Sequence, residues 1–414
     1  MTEEIKSRIE QIKAGQVPEG YKQVHSGTIP VDWNEATISN IADEITDTAG
    51  EGEYETLSIS AGIGFVNQAQ KFGREKSGAQ YAKYTVLHRG DFSYNKGNSN
   101  LYPQGCIYRL NDRKEAAVPN VFESFRFTAQ DGDYYEQLFV NGFLNKQLYS
   151  KINHGVRDDG LLNLTGSDFY SCCLPVPPLP EQKKIAEILR QCDKVIELKQ
   201  SKIEELQELK KTCLSKMFPK EGHNVPKLRF PGFTGVWEQR KLGDCVEFLD
   251  TQRRPLEGTT RVKGPYPYYG ASGIVDYVEG FLFDEELILL SEDGANITDR
   301  NYPVAFLIKG KSWVNNHAHV LRTKKYFENN FICNSLEMKN YTKYNTGMAM
   351  PKLNQEMCRN ILIPCPQYKE QILIGDYFRE LDNLITLHQR ELEETQKYKK
   401  ALMQLLLMGI VRVK

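Results

Sequence analysis

Few residue groups in this sequence have types and spacing suited to chemistry. His317-Ala-His319 would put two imidazoles on one face of a strand, because side chains alternate along it, and so could bind a metal or contact DNA. A zinc site needs further ligands at suitable spacing, and no third one lies nearby. Ser291-Glu-Asp293-Gly-Ala-Asn296 follows an apolar run and resembles an acidic catalytic turn, but a polar turn that positions backbone is the better reading. Cys172-Cys173 falls where one side chain faces a core, which suits a buried thiol better than a nucleophile. The glycines of AGIGF at 61–65 lack the spacing that cradles a phosphate. There is no P-loop, no G-x-G-x-x-G after a strand, no Asn/Asp-Pro-Pro-aromatic signature of an amino-methyltransferase and no G-x-S-x-G elbow. The expectation is a chain that catalyses nothing alone.

The elements that carry these groups lie in a chain of 414 residues, long enough for at least two domains. With 40% hydrophobic and 26% charged residues, each half can bury a core. The 53 basic and 54 acidic side chains leave no general excess for gripping a polyanion, so such contacts must be local or shared. Nine cysteines without CxxC or Cys/His zinc spacing predict reduced thiols and a cytoplasmic protein. MTEEIKSRIEQIKAG has no apolar signal region, and no run of 18 apolar residues occurs, so neither secretion nor a membrane span is expected.

The chain repeats itself. GTIPVDWNEATISNIADEI around Trp33 corresponds to GFTGVWEQRKLGDCVEFL around Trp237, at an offset of 204. LTGSDFYSCCLPVPPLPEQKKIAEIL from Leu164 corresponds to LNQEMCRNILIPCPQYKEQILIGDYF from Leu353, at an offset of 189. Residues 181–217 and 370–406 share 13 identities in 37 positions, among them Asp193/Asp382 and Lys210/Lys399. The first globular part is therefore 15 residues longer than the second, and between the two anchors almost no identity is visible.

Each repeated segment starts after prolines, carries Glu in its first turn and shows apolar residues at 3-4 spacing. The seam is Ile185, Leu189, Ile196, Ile203 and Leu206 in the first, and Ile374, Phe378, Leu381, Ile385 and Leu392 in the second. Lys199 opposite His388 and Lys210 opposite Lys399 in the alignment interrupt it at matching positions, as register-setting polar residues do. Residues 34–174 and 238–363 consist of short β-branched and aromatic runs broken by Gly, Asn and Pro, and read as mostly β. The predicted fold is α+β: two mostly-β domains, each followed by a long helix, the helices forming an antiparallel coiled coil with pseudo-two-fold symmetry.

Tandem variable domains, each entered through a short lead to Trp and left through P-x-P-x-x-x-E-Q into a coiled-coil helix, resemble the specificity subunit of a type I restriction-modification enzyme. The resemblance spans about residues 20–408. It divides the chain into a leader (1–29), target recognition domain 1 (30–180), helical spacer 1 (181–218), a linker (219–236), target recognition domain 2 (237–369), helical spacer 2 (370–408) and a tail (409–414). It implies a non-catalytic DNA-recognition protein whose two domains each read half of an asymmetric bipartite site, with the helices setting the gap. The implied partners are double-stranded DNA, two methyltransferase subunits that methylate adenine N6, and endonuclease/translocase subunits, with no membrane. S-adenosylmethionine, ATP and Mg2+ would be bound by those partners and not by this chain. At 1.5 Å per residue a 37-residue helix spans roughly 55 Å, enough to bridge half-sites roughly 34 to 36 Å apart. A scaffold that pairs other subunits without reading DNA is the alternative.

Base reading needs Arg, Lys, Asn, Gln or His on exposed loops. Candidates in the first domain are Lys71, Arg74, Lys76, Asn95, Lys96, Asn98, Asn100 and Arg157. In the second they are Arg253, Arg254, Arg261, Lys263 and Tyr269, followed by Asn296, Arg300, His317 and His319. From Trp33 to Pro180 there are 13 basic and 18 acidic residues, against 17 and 16 from Trp237 to Lys369. The first domain is thus acidic, and tight DNA binding is expected to need the methyltransferase partners.

Overall fold

The computed structural model describes residues 2–74, 77–97, 102–153, 161–348 and 350–413. The fold is α+β, with two β-rich domains and two long helices, Leu179–Met217 and Tyr368–Leu406. The chain forms two compact units, one of Met1–Leu198 with Leu392–Lys414 and the other of Lys199–Glu391. Both helices are thus shared between units, because each domain packs on the start of one helix and the end of the other. Among the described residues no helix is long and apolar enough to cross a membrane.

Each unit is built around a four-stranded antiparallel sheet. In the first its order is Ala42–Glu44, Glu123–Phe127, Phe92–Asn95, Cys106–Arg109; in the second it is Val246–Phe248, Ala318–Thr323, Leu287–Ser291, Ala305–Ile308. The chain visits equivalent strands in the same sequence. A second sheet in the second unit runs Gly273–Val278, Lys263–Gly270, Lys311–Val314, Phe283–Asp284. The first unit matches it with the hairpin Leu57–Ser60/Gly64–Asn67 and the pair Thr85–His88/Glu115–Val118, joined by a parallel bridge from Thr56 to Ala117. The two domains therefore share one topology although their sequences share almost no identity. The pairs Phe92–Phe125 and Ile288–Leu321 occupy the same place, at an offset of 196, intermediate between those of the lead and the exit. Phe92, Tyr94 and Phe125 in one core stand where Ile288, Leu290 and Leu321 stand in the other, and all six are buried.

The lead and the exit segments close each domain by pairing with each other: Asn34–Thr37 with Cys173–Val176, and Glu238–Lys241 with Leu362–Cys365. Trp33 and Trp237, just before these strands, are fully buried. The repeated Glu-Gln is structural. Gln182 donates to the Pro177 carbonyl (2.8 Å) and accepts from the Asp131 amide (2.9 Å), and Asp131 caps the helix Gly132–Val140. Gln371 does the same with Pro366 (3.0 Å) and Glu328 (3.2 Å), which caps Asn329–Glu337. Each Glu takes a bidentate Arg from the segment that trails the other helix: Arg412 for Glu181 (2.8 and 2.7 Å), and Arg229 for Glu370 (2.7 and 2.7 Å).

Within each unit the helices run antiparallel. Ile185 and Leu189 join Met403, Leu406 and Leu407 in the first core, and Leu206, Cys213 and Met217 join Ile374, Phe378, Leu381 and Ile385 in the second. Ile203 is buried, while Ile196 and Leu392 are half-buried. The polar interruptions of the seam are ion-paired. Lys399 meets Asp193 in the first unit, and Lys210 meets Asp382 (2.5 Å) in the second, so one Asp–Lys bridge is built twice from equivalent residues. Lys199 also reaches Glu391 (2.6 Å).

Candidate nucleic-acid interface

In both domains three loops converge where a central strand ends. In the first, Phe92–Asn95 ends with Asn95, whose Nδ2 donates to the Ile59 carbonyl (3.3 Å) at the hairpin and whose Oδ1 accepts from Gly97 N (2.8 Å). The segment before the short helix Gly166–Tyr170 returns to the same place, with Leu162 N donating to Lys96 O (2.8 Å) and a bridge between Gly97 and Leu161. In the second, Leu287–Ser291 ends with Ser291, whose Oγ donates to the Ala271 carbonyl (2.6 Å) in the hairpin turn. Leu353 N donates to Glu292 O (2.7 Å), and Asp293 bridges to Lys352. A shared backbone framework thus presents different side chains in the two domains.

Several predicted reading residues instead hold this framework together. Lys96 is paired with Glu123 (2.5 Å) and donates to the Leu164 carbonyl, with its side chain mostly buried. Arg253 bonds Glu292 (2.7 Å), the Ala318 carbonyl (2.7 Å) and the Asp250 carbonyl. Asn296 closes the loop to Tyr302 through both its side-chain atoms, and Arg300, at φ 55°, bonds Glu337. Arg261 lies over the Tyr268 ring (4.6 Å) and donates to Leu256 O, and half-buried Tyr269 packs against Phe306. Lys71 donates to Ile59 O (3.1 Å), and partial burial lowers its pKa.

His319 is the clearest correction. It is buried, with Nδ1 2.7 Å from Asp250 and Nε2 2.8 Å from the Leu353 carbonyl. Both ring nitrogens face acceptors, so both carry protons and neither can bind a metal or a base. Burial acts to lower its pKa, but the Asp250 bond and the Cys358 contact outweigh it, and the pKa is pushed up to about 10. Asp250 is held below the usual carboxylate value: burial would raise it, and the bond and charge of His319 more than offset that. Two residues apart, His317 and His319 have opposite fates, because the strand Ala318–Thr323 begins between them and only the second lies within the sheet over the core.

Exposed and available are Arg74, Arg254, Lys263 and His317. His317 Nδ1 lies 2.9 and 3.0 Å from the two Asp293 oxygens, an orientation that leaves Nε2 as the ring's outward nitrogen. The acidic turn 291–296 thus positions backbone and one imidazole. Lys76, Asn98, Asn100 and Arg157 lie outside the described residues. Among the described residues no group of three His, Cys, Asp or Glu is placed to hold a metal.

The family described as "Type I restriction modification DNA specificity domain" matches this chain twice, over residues 30–208 and 235–397, together most of its length. The chain belongs to this family. Each matched copy covers one β-rich domain and most of the helix after it, so the family unit coincides with the repeat. Among curated specificity subunits, the chain is 25% identical over 438 residues to the putative MjaX subunit of Methanocaldococcus jannaschii, covering 96% of this chain and 97% of that one. To the MjaVIII subunit of the same organism it is 23% identical at the same coverage. A putative Haemophilus influenzae subunit is 34% identical over 134 residues, 32% of this chain and 34% of that protein. In fold, the chain resembles the crystal structure of a type I S subunit from M. genitalium, with a TM-score of 0.61, 16% identity and coverage of 90% of this chain and 96% of that one. A chain from a structural study of type I complex assembly matches at a TM-score of 0.53 and 14% identity, covering 92% and 99%.

Proposed function

We propose that this specificity-family protein is the non-catalytic DNA-reading subunit of a type I restriction-modification enzyme. Each domain reads one half of an asymmetric, bipartite site, and the paired helices set the gap. The observation that carries this reading is the duplicated loop framework with unlike side chains: a common backbone suits a common task, and different polar groups suit different base sequences. A palindrome would instead call for matching side chains.

The helices support a partner present twice. The exposed apolar residues Val195, Leu198 and Leu209 on one correspond, at the offset of 189, to Leu384, Leu387 and Tyr398 on the other. Each unit therefore carries the same three positions, Val195, Leu198 and Tyr398 in the first and Leu384, Leu387 and Leu209 in the second. Apolar side chains repeated at equivalent exposed positions suit two copies of one protein, here the methyltransferase subunit. That subunit would bind S-adenosylmethionine and methylate adenine N6, and the endonuclease/translocase subunits would use ATP and Mg2+.

The test is to co-express the chain with its methyltransferase subunit and sequence host DNA for N6-methyladenine. A split motif with a fixed gap, present only with this chain, is the expected result. A soluble complex that adds no motif would instead make the protein a scaffold.

A further inference from the structure

The second unit holds out two side chains that neither its core nor its hydrogen bonds use. Hydrogen bonds join Asn345 to Gly347, and both Asn345 and Thr346 to Lys352. Asn345 Oδ1 accepts from the amides of Gly347 (2.9 Å) and Lys352 (2.8 Å), and the Thr346 amide donates to the Lys352 carbonyl (2.8 Å). A Cβ at Gly347 would collide with the Met350 carbonyl oxygen, so the turn requires glycine there. Gly294 N donates to Pro351 O (3.1 Å), which fastens the turn to the loop framework beside Asp293 and Lys352. This frame presents Met348, fully exposed at 105%, and Met350, exposed at 61%.

A connecting loop needs no apolar tip, and a closed turn holds such a tip away from the core it would otherwise join. Its neighbours indicate the surface it meets. At the base of the turn, half-exposed His317, oriented by Asp293, and Lys352, 3.6 Å from Glu292 and half-exposed, offer polar and cationic groups on the same loop framework as the unbranched thioether. Donors for base edges and phosphates next to an apolar prong match a DNA groove, and methionine is among the side chains that proteins insert between base pairs. We propose that Met348 inserts into the base stack of the half-site read by the second unit. Unstacking there lowers the work of exposing an adenine, which a methyltransferase must take out of the helix. The inference rests on the DNA-reading role proposed above.

The experiment uses the full chain assembled with its methyltransferase subunits and duplexes carrying 2-aminopurine at successive steps of each half-site. The wild-type complex is expected to raise fluorescence at one step of the second half-site. Met348→Ala should abolish that rise while leaving signals in the first half-site unchanged, and Met348→Leu should restore it. Peroxide oxidation of Met348, read by mass spectrometry, should slow only when DNA is added. Footprints on both half-sites with no Met348-dependent signal would overturn the wedge and leave DNA reading intact. Protection of Met348 by the methyltransferase alone would overturn it in favour of a protein contact. Absence of any footprint would remove the DNA-reading role, and the wedge with it.

Discussion

Arg412→Ala should open the base of the first domain. Arg412 bonds both oxygens of Glu181 (2.8 and 2.7 Å) and both of Asp32 (2.8 Å each), and lies over the Trp33 ring. Trp33 Nε1 donates to the same Glu181 (2.9 Å), whose side chain is only 5% exposed. Removing the guanidinium leaves a buried carboxylate with the indole and the Val413 amide as donors. Breaking a buried pair costs about 3–5 kcal/mol, and the remaining donors place this case near the lower end, about 3 kcal/mol. At about 1.4 kcal/mol per tenfold, backbone amides in strands 34–37 and 173–176 should exchange hydrogen about 100-fold faster, as mass spectrometry can resolve segment by segment. The pH dependence is a second signature. In the wild type, burial acts to raise the Glu181 pKa, but the Arg412 and Trp33 bonds outweigh it and the net shift is downward. The group therefore stabilises the fold above the ordinary carboxylate pKa of about 4.3, and this is lost as pH falls through the lower folded value. Without Arg412, burial dominates, the pKa rises, and the carboxylate destabilises the fold at neutral pH. The difference between variant and wild type should then be largest near pH 7 and shrink below about pH 4. Exchange in these strands less than about fivefold faster, or a difference that does not change with pH, would refute the reasoning.

Further outcomes follow from the same geometry. Arg229→Ala should act on strands 238–241 and 362–365 in hydrogen exchange, because Glu370 is bridged by Arg229 as Glu181 is by Arg412. A double-mutant cycle on Lys210 and Asp382 should give a coupling of about 0.5–1 kcal/mol by chemical denaturation, the size expected of a part-exposed pair, and exchanging the two charges should recover most of it. His319→Gln should destabilise the second unit by about 3 kcal/mol. Because the His319 pKa is raised to about 10 from 6.5, its contribution should be complete below pH 6.5 and vanish as pH rises through 10, as denaturation at pH 6, 8 and 10.5 would check. His317→Ala should leave thermal stability unchanged but weaken DNA binding by the assembled complex by roughly 1 kcal/mol, about fivefold in Kd, with the loss confined to base changes in one half-site.

The frame was legible in residue order. Helix phase follows from 3-4 apolar spacing, so the buried Ile185, Leu189, Ile374 and Phe378 could be named without coordinates. The lysines at matching seam positions were visible too, but not their partners, since the register that brings Lys399 to Asp193 and Lys210 to Asp382 is set by packing. The common topology of the two domains was hidden. Strand pairing is a backbone interaction, and a core filled by Phe92, Tyr94 and Phe125 is as stable an answer as one filled by Ile288, Leu290 and Leu321.

Candidate reading residues separated along the same line. Residue type and loop position selected Arg253, His317 and His319 alike, because alternation along a strand gives a face and not a partner. Arg253 and His319 are absorbed by Glu292 and Asp250, which lie 39 and 69 residues away in the chain, and His317 remains outside. Local sequence specifies periodicity, caps and turns, and with the repeated Glu-Gln it specified the family. Which cations stay free for a ligand depends on carboxylates that only folding brings near, so the tertiary structure alone decided the candidate interface.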